Sequence, residues 1–139
     1  MQVNDVMTTT PVTVDPGSPL DAAVEAMLEA NVGSVLVLGD DGLGILTDRD
    51  VLRASHYLDA PLPDLTARDA MTPDPVTIAP DATVSAALRL MEEHDVKKLP
   101  VVDGFDLVGI VTATDIADHQ PERVRDVRST VDRRDEWTG

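Results

Sequence analysis

The chain repeats itself once, and this duplication limits its fold more than any other feature of the sequence. The segment 7–14 (MTTTPVTV) returns 64 positions later as 71–78 (MTPDPVTI), and 44–50 (GILTDRD) returns 65 positions later as 109–115 (GIVTATD). The second copy therefore carries one extra residue, which we expect near its hairpin turn. A copy this short buries little apolar surface alone, so the two copies are expected to pack together.

Each copy predicts the order strand, helix, strand, strand, helix. For the first copy we expect a strand at 12–14, followed by a helix that Ser18 caps and that has Pro19 as its first residue. We then expect strands at 35–38 and 43–47 and a helix from Asp48 to about Ser55. The apolar stripe of the first helix consists of Leu20, Ala23, Val24, Met27 and Leu28, and Asn31 or Gly33 ends it. For the second copy we expect strands at 76–78, 99–102 and 107–111, and helices carrying Val84, Ala87, Leu88 and Met91 and spanning 113–120.

The repeats suggest a division of the chain into three parts. The first repeat covers residues 1–60, with a linker from about 57 to 66 that contains Pro61 and Pro63. The second repeat covers 67–120 and begins with a short helix at 67–71. The tail, 121–139, is expected to be partly helical or frayed, because its composition differs from that of the repeats.

Composition excludes several classes of protein. The net charge of -15, from 26 acids and 11 bases, makes nucleic acid an unlikely partner. The absence of cysteine excludes disulfides and thiolate metal sites, and the three histidines lack metal-ligand spacing. No set of catalytic side chains is visible. The sequence has no membrane-spanning run and no signal peptide, so we expect a cytoplasmic location.

Two Thr-x-x-Asp boxes stand where an apolar strand ends and a helix begins. They are Thr47 with Asp50, and Thr112 with Asp115. One interpretation is structural, because this pattern is close to a capping box that satisfies backbone amides. The other is functional, because a helix N-terminus suits phosphate and an Asp one turn later can accept both hydroxyls of a ribose.

The order and duplication of these motifs resemble the cystathionine-β-synthase (CBS) domain. The first resemblance rests on 6–8, 11–14, 31–34 and 44–50, and the second on 70–72, 75–78, 97–103 and 109–115. Together they cover about residues 3–120. The resemblance implies an α/β (α+β) fold in which two β-α-β-β-α repeats pack about a pseudo-twofold axis, an arrangement called a Bateman module.

The resemblance also implies a function. Many such pairs bind adenosine compounds, such as AMP, ADP, ATP or S-adenosylmethionine, in two clefts that draw on both repeats. We therefore expect a non-catalytic regulatory module that requires no cofactor, takes an adenosyl ligand, forms a homodimer through helices such as 48–55 and 113–120, and acts on an unidentified protein. The alternative is a structural dimerisation module without a physiological ligand; an enzyme is disfavoured.

Site residues follow from the resemblance by position. One cleft would use Thr112, Thr114, Asp115, Ile110, Met7, Thr8, Val12, Val32, Gly33 and Ser34. The other would use Thr47, Arg49, Asp50, Ile45, Met71, Thr72, Val76, Val96, Lys97 and Lys98. Lys97 and Lys98 are the only lysines in the sequence, and they are either phosphate ligands or a solvated pair. The first copy has Gly33 and Ser34 at these positions, so we expect one cleft to prefer phosphate more strongly than the other cleft does.

The acidic composition resembles that of proteins from salt-loving microbes and leads to a testable hypothesis. Residues 1–120 contain 21 acids and 6 bases, which leaves a balance of -15. At about 1 M salt the screening length falls to about 3 Å, which would remove most of the self-repulsion. We predict that the protein unfolds at low salt and refolds in molar KCl, and circular dichroism measures both transitions. Stability independent of salt would contradict the hypothesis.

Overall fold

The computed structural model describes residues 1–119, which form the predicted mixture of helices and sheets. They divide into two compact units. The central unit is Pro11–Pro75, and the split unit combines Met1–Thr10 with the chain from Val76 onward. The predicted tail and the last residue of the predicted helix at 113–120 lie outside the described residues.

The central unit contains a four-stranded sheet and three helices. Its elements are β1 (Thr13–Val14), α1 (Leu20–Ala30), β2 (Ser34–Gly39), β3 (Gly42–Thr47), α2 (Asp48–Tyr57), a 3₁₀ turn at Leu62–Asp64, α3 (Ala67–Ala70) and β4 (Thr72–Pro73). The strand order is β1-β2-β3-β4, in which β1 and β2 are parallel and the other pairs are antiparallel. The hairpin β2–β3 is therefore the centre of the sheet.

One face of this hairpin packs against the helices. Alternate residues of a strand point to opposite faces, so Val35, Val37 and Leu46 share one face. They form one core with residues of α1, α2 and the segment after it: Leu20, Ala23, Met27, Val51, Ala54, Leu65 and Ala67. The segment predicted as a linker thus supplies Leu65, which is 7% exposed, to the core of the central unit.

Two details of α1 differ from the sequence-based expectation. Pro19, not Ser18, occupies the N-cap position, and the helix begins at Leu20. The Ser18 carbonyl instead accepts a hydrogen bond from the Ala67 amide at 2.9 Å, which places Ser18 in a backbone pairing rather than a cap. Leu28 is exposed, because a helix advances about 100° per residue and places it about 80° from Leu20, at the margin of the stripe. Asn31 ends the helix in the left-handed conformation, as predicted.

The split unit has the same plan. Its elements are a 3₁₀ turn at Val3–Asp5, α4 (Val84–His94), β5 (Lys98–Asp103), β6 (Asp106–Thr112) and α5 (Ala113–His119). Ile78 pairs in parallel with Val101, and Thr8 pairs antiparallel with Ile110. These two bridges flank the hairpin β5–β6 in the places that β1 and β4 take in the central unit.

The N-terminal residues complete the split unit. The Val3 amide donates to the Ala82 carbonyl at 2.8 Å, and the Val84 amide donates to the Met1 carbonyl at 3.1 Å. The Val3 side chain is fully buried in the core that contains Val84, Leu99 and Ile116. The first residues of the chain are therefore part of the packed structure around the second sequence copy.

In the central unit, the segment after α2 has the place that the N-terminal residues have in the split unit. The helix expected at 67–71 is present as α3, and Ala67 is fully buried in the core of the central unit. The Leu20 amide donates to the Leu65 carbonyl at 2.8 Å, which matches the bond between Val84 and Met1. The structural units are thus displaced along the chain relative to the sequence repeats.

The extra residue of the second copy lies near the hairpin turn, as predicted. Both hairpins turn through two residues, at 40–41 and at 104–105. The register of β5 against β6 shifts between Val101 and Val102, where the pairing moves from Gly109 to Leu107. The insertion is therefore a bulge in β6 beside the turn.

Within residues 1–119 no helix is long and apolar enough to span a membrane.

The burial of the N-terminal segment predicts a stability effect. Val3→Ala should lower the free energy of unfolding by about 1.5–3 kcal/mol, because it removes apolar surface from a closed core. Chemical denaturation monitored by circular dichroism measures this change. Thr9→Ala is the matched control, because Thr9 has a similar shape, belongs to the same segment and is exposed. Equal stability of the two variants would contradict a structural role for the segment.

Candidate functional site

The second face of the central sheet carries a row of side chains that crosses all four strands. Thr13 pairs with Leu36, Leu36 with Ile45, and Ile45 with Thr72, so their side chains share one face. This is the face opposite to Val35, Val37 and Leu46. Thr13 and Thr72 are exposed at the two ends of the row, and Ile45 is half-buried. The row combines hydroxyl groups with an apolar centre.

The first Thr-x-x-Asp box stands at the end of this face. The Asp50 amide donates to Thr47 Oγ1 at 3.1 Å, and the Thr47 amide donates to Asp50 Oδ2 at 2.9 Å. These reciprocal bonds form a capping box at the start of α2, so the structural interpretation of the box is confirmed. Asp50 is only 8% exposed. One of its oxygens serves the cap, and the carboxylate keeps further acceptor capacity.

Ser34 lies directly opposite Thr47 in the hairpin. The two residues pair across β2 and β3, so their side chains lie on the same face of the sheet. Ser34 is 9% exposed, and among residues 1–119 its hydroxyl has no hydrogen-bond partner. A buried hydroxyl of this kind normally has a hydrogen-bond partner, so Ser34 is available to a bound molecule or a water.

The three amides in the first turn of α2 all donate hydrogen bonds to acceptors within the central unit. The Asp48 amide donates to the Gly33 carbonyl at 3.0 Å, and the Arg49 amide donates to Asp48 Oδ1 at 2.8 Å. The Asp50 amide already donates to Thr47. Each of these three amides therefore has an acceptor within the central unit, and the functional interpretation of the box stays a prediction.

The split unit repeats the box with different neighbours. The Asp115 amide donates to Thr112 Oγ1 at 3.0 Å, and the Thr112 amide donates to Asp115 Oδ2 at 3.2 Å. Lys98 pairs directly with Thr112, in the place that Ser34 has opposite Thr47. The Ala113 amide donates to the Lys97 carbonyl at 2.9 Å. Both lysines thus stand beside the Thr112 box.

The second face of the split hairpin also carries a row. Pro100 pairs with Ile110, and Ile110 exchanges both backbone hydrogen bonds with Thr8, at 2.9 and 3.0 Å. Thr8 is exposed, and Ile110 is half-buried. The two units therefore present similar apolar and hydroxyl groups beside boxes that differ in their charges.

Glycine in the Gly-Ile motifs permits a close backbone approach. A Cβ at Gly109 would lie 2.6 Å from the Thr8 carbonyl oxygen, and one at Gly44 would lie 3.3 Å from the Thr72 carbonyl oxygen. A Cβ contact below 3.0 Å requires neighbouring atoms to shift, so a side chain at Gly109 would displace Thr8 from the sheet. The glycine thus positions the threonine of the Met-Thr motif.

A third box shows that the pattern alone does not identify a site. Thr66 and Asp69 form a capping box at the start of α3, in which the Thr66 amide donates to Asp69 Oδ2 at 2.9 Å. Residues 66–69 are not at the end of a strand of the hairpin. What distinguishes the boxes of Thr47 and Thr112 is the adjoining sheet face.

The predicted site residues divide evenly between the units. The central unit contains Val12, Val32, Gly33, Ser34, Ile45, Thr47, Arg49, Asp50, Met71 and Thr72. The split unit contains Met7, Thr8, Val76, Val96, Lys97, Lys98, Ile110, Thr112, Thr114 and Asp115. Each cleft inferred from the resemblance takes residues from both groups, and this division into clefts stays a prediction. Within its own unit, the lysine pair adjoins Thr112, whereas the sequence grouped it with Thr47.

Several of these residues have other surroundings. Met7 and Val76 pack against the core of the split unit, and Val12 and Met71 pack against that of the central unit. The side chains of Val32, Arg49, Val96 and Thr114 are exposed.

Sequence reasoning missed Thr13 and Leu36. The signal was present, because Thr13 alternates with Val12 and Val14, and alternation places the threonine on the face opposite the core.

No group of three or more His, Asp or Glu side chains within residues 1–119 could hold a metal ion.

Comparison with known proteins adds independent information. A family model described as "CBS domain" matches residues 3–57 and 67–122, which is most of the chain.

Two curated proteins resemble the chain in sequence. Hypoxic response protein 1 of Mycobacterium tuberculosis is 34% identical over 120 residues, which cover 85% of this chain and 84% of that protein. The uncharacterized protein YlbB of Bacillus subtilis is 39% identical over 100 residues, which cover 70% of this chain and 66% of that protein.

Solved structures agree with the fold. A crystal structure of Hypoxic Response Protein I with two coordinated zinc ions is similar with a TM-score of 0.78 and 33% identity, covering 87% of this chain and 100% of that chain. The CBS domain pair of protein MJ0100, in complex with 5′-methylthioadenosine and S-adenosyl-L-methionine, is similar with a TM-score of 0.76 and 26% identity, covering 85% of this chain and 98% of that chain.

Proposed function

The chain belongs to the CBS domain family, as a tandem pair of its repeats, and from this membership we propose that it is a non-catalytic regulatory module that binds an adenosine-containing ligand. The ligand would be an adenine nucleotide, S-adenosylmethionine or a related compound. It would act as a regulatory effector and not as a required cofactor. The chain would pass ligand occupancy to a partner protein, because a ligand shifts a conformational equilibrium when it binds the two states unequally.

The observation that carries this proposal is the repeated association of a box carboxylate with an apolar and hydroxyl-bearing sheet face. Asp50 adjoins the row of Thr13, Ile45 and Thr72, and Asp115 adjoins the row of Ile110 and Thr8. A flat base can rest on Ile45 or Ile110, and ribose hydroxyls can donate to the carboxylate oxygen that the cap does not use. The buried setting of Asp50 and the half-buried setting of Asp115 would strengthen these hydrogen bonds.

One relative supports the choice of an adenosyl ligand. The CBS domain pair of protein MJ0100 was solved with 5′-methylthioadenosine and S-adenosyl-L-methionine. The present chain has its own carboxylate at both boxes, which are the groups that a ribose would need. We therefore extend this class of ligand to the chain.

The absence of a catalytic role is part of the proposal. The box side chains are engaged in capping bonds and lie beside apolar residues. They include no nucleophile that is hydrogen-bonded to a base within residues 1–119. We also propose a cytoplasmic location and an acidic surface adapted to high salt, both from the composition of the chain.

Loss of a box carboxylate should weaken ligand binding. We predict that Asp115→Ala or Asp50→Ala lowers affinity for the adenosyl ligand of the altered box by about 10- to 100-fold. The reason is that each charge-assisted hydrogen bond contributes about 1.5–3 kcal/mol. The ligand is first chosen by a thermal-shift panel of AMP, ADP, ATP, S-adenosylmethionine and NAD in molar KCl. Affinity is then measured by isothermal titration calorimetry.

Asp69→Ala is the matched control for this experiment. It also removes a capping-box carboxylate, but its box does not adjoin the sheet face, so it should lose helix-capping stability and keep ligand affinity. A ligand at 100 times its dissociation constant should add about 2.7 kcal/mol of stability. A panel without any shift, or unchanged affinity in both site variants, would contradict the proposed function.

An interaction module without a ligand remains the second candidate, because α2 exposes large apolar side chains. Leu52 is 71% exposed and Tyr57 is 73% exposed, on one of the two helices expected to form a homodimer contact. Within residues 113–119, α5 has no exposed large apolar side chain. The surface of α2 is thus the better candidate for contact with a second copy.

The dimer contact can be tested through α2. We predict that the chain sediments as a dimer and that Leu52→Glu shifts it towards monomer, because a buried unpaired charge opposes association. Leu28→Glu is the control, since Leu28 is 75% exposed on α1, outside the predicted contact. A monomeric wild-type protein, or an equal effect of the two variants in analytical ultracentrifugation, would reject α2 as the interface.

A further inference from the structure

The two boxes differ in charge at matching positions. Lys98 stands opposite Thr112, whereas Ser34 stands opposite Thr47. The first residue of α5 is Ala113, whereas that of α2 is Asp48. Both differences make the surroundings of the central box more negative. The charged residues concerned are Asp48, Arg49 and Asp50 in the central unit, and Lys97, Lys98 and Asp115 in the split unit.

Asp48 lies on the first turn of α2, and its side chain is exposed. Its Oδ1 accepts a hydrogen bond from the Arg49 amide at 2.8 Å, so the carboxylate stands where a phosphate would have to approach the helix N-terminus. The Arg49 side chain is exposed and, among the described residues, has no hydrogen bond or ion pair that would hold it at the box. The charge at this position is therefore negative.

Ser34 supplies a second, independent indication of a ligand at this box. Its hydroxyl is nine-tenths buried, shares the sheet face with Thr47 and has no hydrogen-bond partner within residues 1–119. A neutral hydroxyl can bond to a ribose or a neutral substituent without a charge of its own. The Ser34 hydroxyl can donate or accept one hydrogen bond, and the Asp50 carboxylate accepts from hydroxyl donors, so neither group brings a positive charge to the box.

We propose that the box of the central unit binds adenosyl compounds without a phosphate, such as nucleosides and 5′-thioethers, and that Asp48 is the residue that sets this specificity. The inference rests on the proposed function and assigns a ligand class to one of its two boxes. Asp48 excludes a phosphate in two ways. Its carboxylate accepts the hydrogen bond of the Arg49 amide, which a phosphate would otherwise use, and its negative charge repels the phosphate dianion. A neutral 5′ substituent experiences neither effect.

The test compares adenosine, 5′-methylthioadenosine and AMP, because adenosine and AMP differ only by the phosphate. Full-length Asp115→Ala protein is used so that binding reports the central box, at the lowest KCl concentration at which circular dichroism shows a folded chain. We expect adenosine and 5′-methylthioadenosine to bind at least about tenfold more tightly than AMP. Asp48→Ala should strengthen AMP binding by about tenfold and leave adenosine unchanged.

Asp21→Ala is the matched control. Asp21 is also an exposed acid in the first turn of a helix of the central unit, so the variant changes the net charge equally. Equal affinity for AMP and adenosine before the substitution, or the same AMP affinity in the Asp48 and Asp21 variants, would overturn the inference while adenosine binding upheld the proposed function. If wild-type protein bound none of the three compounds, and the wider panel produced no shift, the proposed function would fail and the inference with it.

Discussion

The backbone pairing between the Met-Thr segments and the hairpins is the interaction on which the rest of the structure depends. Thr8 exchanges two hydrogen bonds with Ile110, and Thr72 pairs with Ile45 in the same way. Each pairing adds the last strand to a hairpin and brings a threonine to the sheet face that ends at a box. The glycine before each isoleucine leaves room for this approach, so the recurring Gly-Ile and Met-Thr motifs contact each other in both units.

A consequence is that the units are not the sequence repeats. The segment that closes the first hairpin follows it in the chain, and the segment that closes the second comes from the N-terminus. The beginning of the chain is therefore as much a part of the core as the strands are. The pairing of Thr8 with Ile110 thus connects residues 1–10 directly to the sheet face that carries Ile110.

The structure decides one of the two roles that the sequence left as alternatives for the boxes. Their reciprocal hydrogen bonds cap α2 and α5, which confirms the structural role, and one oxygen of each carboxylate serves it. The proposed ligand role would use the other carboxylate oxygen and would depend on the neighbouring sheet face. The cap at Thr66 and Asp69 has no such face, so it serves as the control for helix capping alone. The different charges of Asp48 and Lys98 distinguish two boxes with the same plan.

The sequence by itself determined the duplication, the family, the long helices and both hairpins, and the boxes at Thr47 and Thr112, because these depend on local spacing and on residue type. It also located the extra residue of the second copy. Only the tertiary structure decided that residues 1–10 complete the second copy, that Lys98 stands opposite Thr112, and that Thr13 joins the row on the second face of the central sheet. These facts arise from strand pairing between distant segments, and pairing register cannot be deduced from the spacing of residues within one segment.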